Sequence, residues 1–160
     1  IFSSHNIEHL YPHEVPVAVR EFLRVLKPTG FAVITCPDLQ AICALVADDK
    51  LLEPAYTSPA GPISPIDVIY GYRPSLSAGN LYMAHRCGFT RRVLSDVMIQ
   101  GGFARAATKS RPAPGFDLWC CATKGNVSDQ EIVALAEEHF PRLSPHSGPD
   151  SPGHGEQLSS

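Results

Sequence analysis

Residues 31–36, from Phe31 through Ala32, Val33, Ile34 and Thr35 to Cys36, form an apolar run with almost no polar alternation. A strand that turns one face to water alternates apolar and polar residues, whereas a strand covered on both faces has no need to. The run therefore predicts an interior strand of a helix-covered sheet. What precedes it agrees. Val15, Val19, Phe22, Val25 and Leu26 recur at helical spacing, Pro16 suits a first turn, and Arg20, Glu21 and Arg24 mark the wet face, so residues 15–26 read as an amphipathic helix. Lys27-Pro28-Thr29-Gly30 carries Pro and Gly at the second and fourth positions of a type I turn. Helix, turn and buried strand in that order are the signature of an α/β fold.

The rest of the chain supplies the other parts. Asp38 can cap a helix running to about residue 49, with Leu39, Ile42, Cys43 and Val46 on one side. Residues 51–84 change character, punctuated by Pro54, Pro59, Pro62, Pro65 and Pro74 and carrying Tyr56, Tyr70, Tyr72 and Tyr82, which predicts a lid or insertion with little regular structure. Thr90 caps a helix over residues 90–100, buried through Val93, Leu94, Val97 and Met98 and stopped by Gly101 and Gly102. Two strands follow, over residues 103–109 and 116–123, joined by a connection short enough for antiparallel neighbours. Trp119 belongs to the core on this reading. Ser128-Asp129-Gln130-Glu131 is a capping box that opens a helix within residues 126–140. Residues 141–160 are rich in Pro, Ser and Gly and poor in large apolar side chains, so they are expected to stay disordered.

Composition excludes several function classes. The 160 residues are 44% hydrophobic, enough for one core, and 13 Lys and Arg against 16 Asp and Glu leave a formal charge of -3 with no basic stripe, which argues against nucleic acid as a partner. No stretch approaches the roughly 20 apolar residues of a membrane span. Five cysteines without C-x-x-C spacing suit buried free thiols in a reducing, cytoplasmic compartment better than a disulfide framework.

The text at residues 1–10, Ile1-Phe2-Ser3-Ser4-His5-Asn6-Ile7-Glu8-His9-Leu10, followed by Arg24-Val25-Leu26-Lys27-Pro28-Thr29-Gly30, resembles the second half of the catalytic domain of class I S-adenosylmethionine-dependent methyltransferases. Gly101-Gly102-Phe103 is similar to the family's "aGF" before the sixth strand. The resemblance covers roughly residues 1–124. It implies a partial Rossmann-like sheet, strands four to seven in the order four, five, seven, six with the seventh antiparallel, in a domain over residues 1–125. It also implies methyl transfer from S-adenosylmethionine to an unidentified small molecule.

The carboxyl ends of strands at a point where strand order reverses are where open α/β sheets bind ligands. By resemblance, Ser3, Ser4 and His5 then touch the cofactor, with His5 a candidate catalytic base, and His9, Tyr70, Arg73 and His85 are candidate substrate contacts. A loop histidine bonded to backbone is the competing reading of His5. The family's glycine-rich loop and ribose-binding acidic residue have no counterpart in this sequence, so the chain is expected to be a fragment that alone binds the cofactor weakly or not at all and is inactive. A non-catalytic binding or assembly module is the alternative. An exposed edge on the first strand predicts self-association, as a homodimer, or pairing with a partner's strands.

His5-Asn6-Ile7-Glu8-His9 also fits H-x-x-E-H, in which two histidines hold zinc and the glutamate activates water. Pro12 interrupts the helix that would present both histidines. The expectation is therefore no bound metal and no peptidase.

Overall fold

The computed structural model describes residues 1–141. Its centre is a four-stranded mixed sheet of β1 (Phe2–Ser4), β2 (Phe31–Pro37), β5 (Arg105–Arg111) and β6 (Asp117–Thr123), in the order β1-β2-β6-β5. β1 runs parallel to β2, while β6 is antiparallel to both β2 and β5. This is the order and sense that the methyltransferase resemblance implies. The chain is α/β, with helices α1 (Val15–Val25), α2 (Leu39–Ala47), α5 (Arg91–Gln100) and α6 (Asp129–His139) around the sheet.

The unalternated run in β2 is explained by cover on both faces. Ala32, Ile34 and Cys36 join Leu118, Cys120 and Ala122 of β6 in a core closed by Val15 and Val19 of α1 and Leu94 and Met98 of α5. Val33 and Cys121 point the other way, onto Ile132 and Ala136 of α6. Cys120 and Cys121 thus lie on opposite faces, as successive strand residues must. Local chemistry fixes the helix ends. The Asp38 carboxylate accepts from the backbone N–H of Gln40 and Ala41 at the start of α2, and Ser128 and Glu131 form the expected capping box. Lys124 donates through Nζ to the carbonyls of Leu23 and Leu26 at 2.9 and 2.7 Å, satisfying two acceptors at the end of α1.

Three expectations are corrected. Residues 51–84 carry more regular structure than expected: β3 (Tyr56–Ser58) and β4 (Gly61–Ile63) make a hairpin, and α3 (Pro65–Tyr70), α4 (Arg73–Ser77) and a 3₁₀ turn (Leu81–Met83) follow. Pro65 and Pro74 lie in the first turns of α3 and α4, where the missing N–H costs nothing, so prolines that read as breakers are starters. Val93 is exposed, because the buried stripe of α5 passes through Leu94 and Met98 and leaves the preceding residue outward. Trp119 is only half-buried, since its face of the sheet is covered mainly by α6, where it meets Phe140. The expectation for residues 141–160 falls, from 142 on, outside the described residues.

One buried carboxylate ties the insertion together from within. Asp67 of α3, 4% exposed, accepts from the Ser64 N–H and hydroxyl and from the Arg73 side chain, whose Nε lies 2.7 Å from Oδ1. Burial pushes this carboxyl up, but the Arg73 and Ser64 hydrogen bonds outweigh it and hold the group well below the usual carboxylate range. A group whose folded value is depressed stabilises above its unfolded value, near 4, and loses that contribution as pH falls further. The melting-temperature advantage of the wild type over Asp67→Asn is therefore expected to be full at pH 7 and to shrink steadily between about pH 4 and pH 3. A gap independent of pH would show that the carboxylate's charge does not hold the insertion.

Candidate functional site

A cleft of about 240 Å³ opens beside the carboxyl end of β1, lined by His5, Glu8, His9 and Pro37 on the sheet side. Tyr56, Ile63, Asp67, Val68, Tyr72, Met83 and His85 line it on the insertion side. His5 leaves β1 in the left-handed region, φ 47, with its N–H donating to the Thr35 carbonyl at 2.9 Å. A non-glycine residue in that region is uncommon and marks a constrained turn. The 3₁₀ turn Ile7–His9 follows, with Ile7 buried in the main core, so the sheet orients the turn that carries Glu8 and His9.

The insertion side of the cleft is fastened by a segment about eighty residues after the Ile7–His9 turn. The backbone N–H groups of Arg86 and Cys87 both donate to the Glu8 carbonyl, at 2.8 and 3.2 Å, and Arg86 Nη1 donates to the His9 carbonyl at 2.7 Å. The Arg86 guanidinium also lies 4.6 Å from the Tyr11 ring centroid, a cation–π contact. This clasp sets His85 against His9, their rings edge to face with centroids 4.8 Å apart. Each imidazole is fixed by a backbone carbonyl. His9 Nδ1 faces Ala84 O at 3.1 Å and His85 Nδ1 faces Val68 O at 2.7 Å. A carbonyl can only accept, so both Nδ1 atoms donate, and in the neutral form of each ring Nε2 carries the lone pair.

Glu8 is the group the sequence reading undervalued. It is 1% exposed, and neither carboxylate oxygen has a hydrogen-bond partner among the described residues. His5 Nδ1 stands 3.4 Å from Glu8 Oε1. That neighbour raises the His5 imidazole above its ordinary value against the opposing effect of burial. Desolvation in the cleft lowers His85. One ligand atom each from Glu8, His9 and His85 lie within 4.8 Å of one another. The expectation of no metal concerned a helix presenting His5 and His9, whereas the group Glu8, His9 and His85 draws its third member from a separate segment.

The structure brings together three of the sequence candidates, His5, His9 and His85. Ser3 and Ser4 lie at the end of β1 but do not line the cleft; Ser4 Oγ, on an exposed residue, accepts from Thr35 Oγ1 at 2.9 Å. Tyr70 is exposed and outside the cleft, and the Arg73 side chain is engaged by Asp67. Tyr56 and Tyr72 are the tyrosines that reach the cleft. The Tyr72 hydroxyl donates to Ala60 O at 2.6 Å and so ties α4 to the hairpin.

No family model matches the chain, and no curated protein matches it. Among solved structures, it is similar to a protein from Nostoc punctiforme PCC 73102 provisionally assigned as an O-methyltransferase, at 12% identity with a TM-score of 0.42. It is also similar to a SAM-dependent methyltransferase from Methanosarcina mazei, at 13% identity with a TM-score of 0.46. These overlaps take in 77% and 79% of this chain and span only 30% and 58% of the two neighbours. At that level of likeness neither neighbour fixes a function. No helix among the described residues is long and apolar enough to cross a membrane.

Proposed function

We propose that this chain is the carboxyl-terminal half of a class I methyltransferase domain, acting on a small molecule with S-adenosylmethionine as methyl donor. The observation that carries the reading is the sheet order β1-β2-β6-β5 with β6 antiparallel, together with the Ser3-Ser4-His5 text at the carboxyl end of β1. Open α/β sheets bind their ligands at that end. The exposed Ser4 and His5 there fit one side of a polar cofactor, whose contribution when bound is an activated methyl group. His5, half-exposed at the mouth, is placed to take a proton from an acceptor. The apolar wall of Ile63, Val68 and Met83, with Tyr56 and Tyr72, suits a small acceptor with a hydrophobic part. Its five free cysteines accord with a reducing, cytoplasmic setting.

Titration of the chain with S-adenosylmethionine, followed by calorimetry and backbone NMR, tests the reading. The expected affinity is weaker than the low-micromolar range, which corresponds to about -8 kcal/mol, with amide shifts confined to Ser3, Ser4 and His5. Shifts centred elsewhere, for example on α6, would overturn it. On the same reading the free edge of β1 takes a further strand, in a second copy of this chain or in a partner. Light scattering checks that, and a strict monomer at high concentration would remove the homodimer.

A further inference from the structure

We propose that Glu8, His9 and His85 form a binding site for a first-row divalent transition-metal ion. The three residues supply one carboxylate and two imidazoles, with a ligand atom of each within 4.8 Å of the others. Ligands at about 2.1 Å from one ion stand at most roughly 4.2 Å apart, so closing on the ion needs only a small side-chain adjustment. Two nitrogen donors favour zinc, cobalt or nickel over calcium, which selects oxygen cages.

Two independent features point to a ligand rather than to packing. The first is the pair of carbonyl anchors. His9 donates from Nδ1 to Ala84 O and His85 from Nδ1 to Val68 O, which fixes both ring orientations and leaves both Nε2 lone pairs available. Metal-binding histidines are oriented in this way by an outer partner. The second is Glu8, fully buried with both oxygens lacking a hydrogen-bond partner among the described residues. A buried carboxylate is ordinarily paired or bound to a cation. His5 Nδ1, at 3.4 Å from Glu8 Oε1 and half-exposed, is the nearest protein group to that carboxylate and lies on the open side of the cleft.

Three protein donors leave coordination positions open on the ion, as catalytic metal sites do. An oxygen donor of a small molecule, a hydroxyl or a carboxylate, would complete them from the cleft. That such a molecule is the methyl acceptor rests on the proposed methyltransferase function. The metal site does not, and it is tested on the chain alone.

The chain, stripped with a chelator and dialysed, is titrated with Co²⁺ while the visible absorption is followed, and then with Zn²⁺ as competitor. One equivalent of Co²⁺ per chain is expected, displaced by Zn²⁺, with affinity falling at least tenfold in His85→Ala and in Glu8→Gln. His13→Ala, an exposed histidine outside the cluster, should bind as the wild type does. Circular dichroism monitors folding of each variant. If Glu8→Gln unfolds, His85→Ala decides, because the His85 ring is only partly buried. Absence of stoichiometric binding to the folded wild type overturns the proposal, as does binding that His85→Ala leaves unchanged, which would place the ion on surface histidines. Cobalt binding as expected, with S-adenosylmethionine-induced amide shifts centred away from Ser3, Ser4 and His5, would count against the methyltransferase reading alone.

Discussion

Replacing Gly71 with alanine is expected to destabilise the chain by about 3 kcal/mol, from backbone strain and overpacking together, and to dismantle the cleft. Gly71 ends α3 at φ +102, and a Cβ there would stand 2.1 Å from Met83 O and 2.9 Å from Ala84 Cα. Both are backbone atoms, so no side chain can swing aside. The strand of chain that must move is the one that offers Ala84 O to His9 and carries His85. Gly79 is the control. Its φ is +89, yet a Cβ would meet nothing within 4 Å, so Gly79→Ala carries only the conformational penalty, about 1 kcal/mol. Thermal melts of the two variants, with histidine ring NMR signals as the local probe, separate clash from strain. Equal losses in the two, with undisturbed His9 and His85 signals, would show that the close approach at Met83 is not a constraint.

Leu118→Ala should be as costly, by a different route. Leu118 is fully buried in β6 beside its register partner Cys36, within the core shared by α1 and α5. Removing three carbons from such a site costs about 3 kcal/mol, because the rigid sheet cannot collapse into the void. In a domain of this size that lowers the melting temperature by roughly 10 °C. Val133→Ala on the exposed side of α6 should stay within about 0.5 kcal/mol. A loss below about 1 kcal/mol at Leu118 would mean that the sheet repacks more freely than its two-sided cover suggests.

The parts of the fold that rest on local chemistry were legible in the residues. The run from Phe31 to Cys36, the Asp38 cap and the Ser128 capping box each declare a local geometry, and each is found where it was read. The insertion was harder. Pro65 and Pro74 are ambiguous by nature, since one residue type both ends and begins helices, and only the Asp67 network, which spans Ser64 to Arg73, shows which applies. Burial on a short helix face was likewise misjudged at Val93, where one residue's offset turns a side chain outward.

At the site, His5 and His9 stood out as a motif, and His85 was named as a candidate substrate contact with nothing to join it to them. Glu8 entered only as part of the H-x-x-E-H text, because nothing in its own neighbourhood says that it is buried without a hydrogen-bond partner. Its environment is made by Arg86 and Cys87, whose N–H groups close on the Glu8 carbonyl. No periodicity or spacing encodes that contact. It depends on the insertion returning to the start of the chain, and sequence patterns are silent on such returns.

The clasp between Arg86 and the Glu8–His9 carbonyls also makes recognition in the cleft conditional on how often the insertion is seated. Half of the walls belong to residues 56–85, so an undocked insertion leaves no site at all. Observed affinity is then the intrinsic affinity scaled by the seated fraction. A substitution at Arg86, whose own side chain is absent from the cleft lining, would weaken every occupant of the cleft by one common factor, irrespective of chemistry. Conversely, any tight occupant would protect the 56–85 segment from proteolysis, which makes cleavage of that segment a way to screen for what the cleft holds.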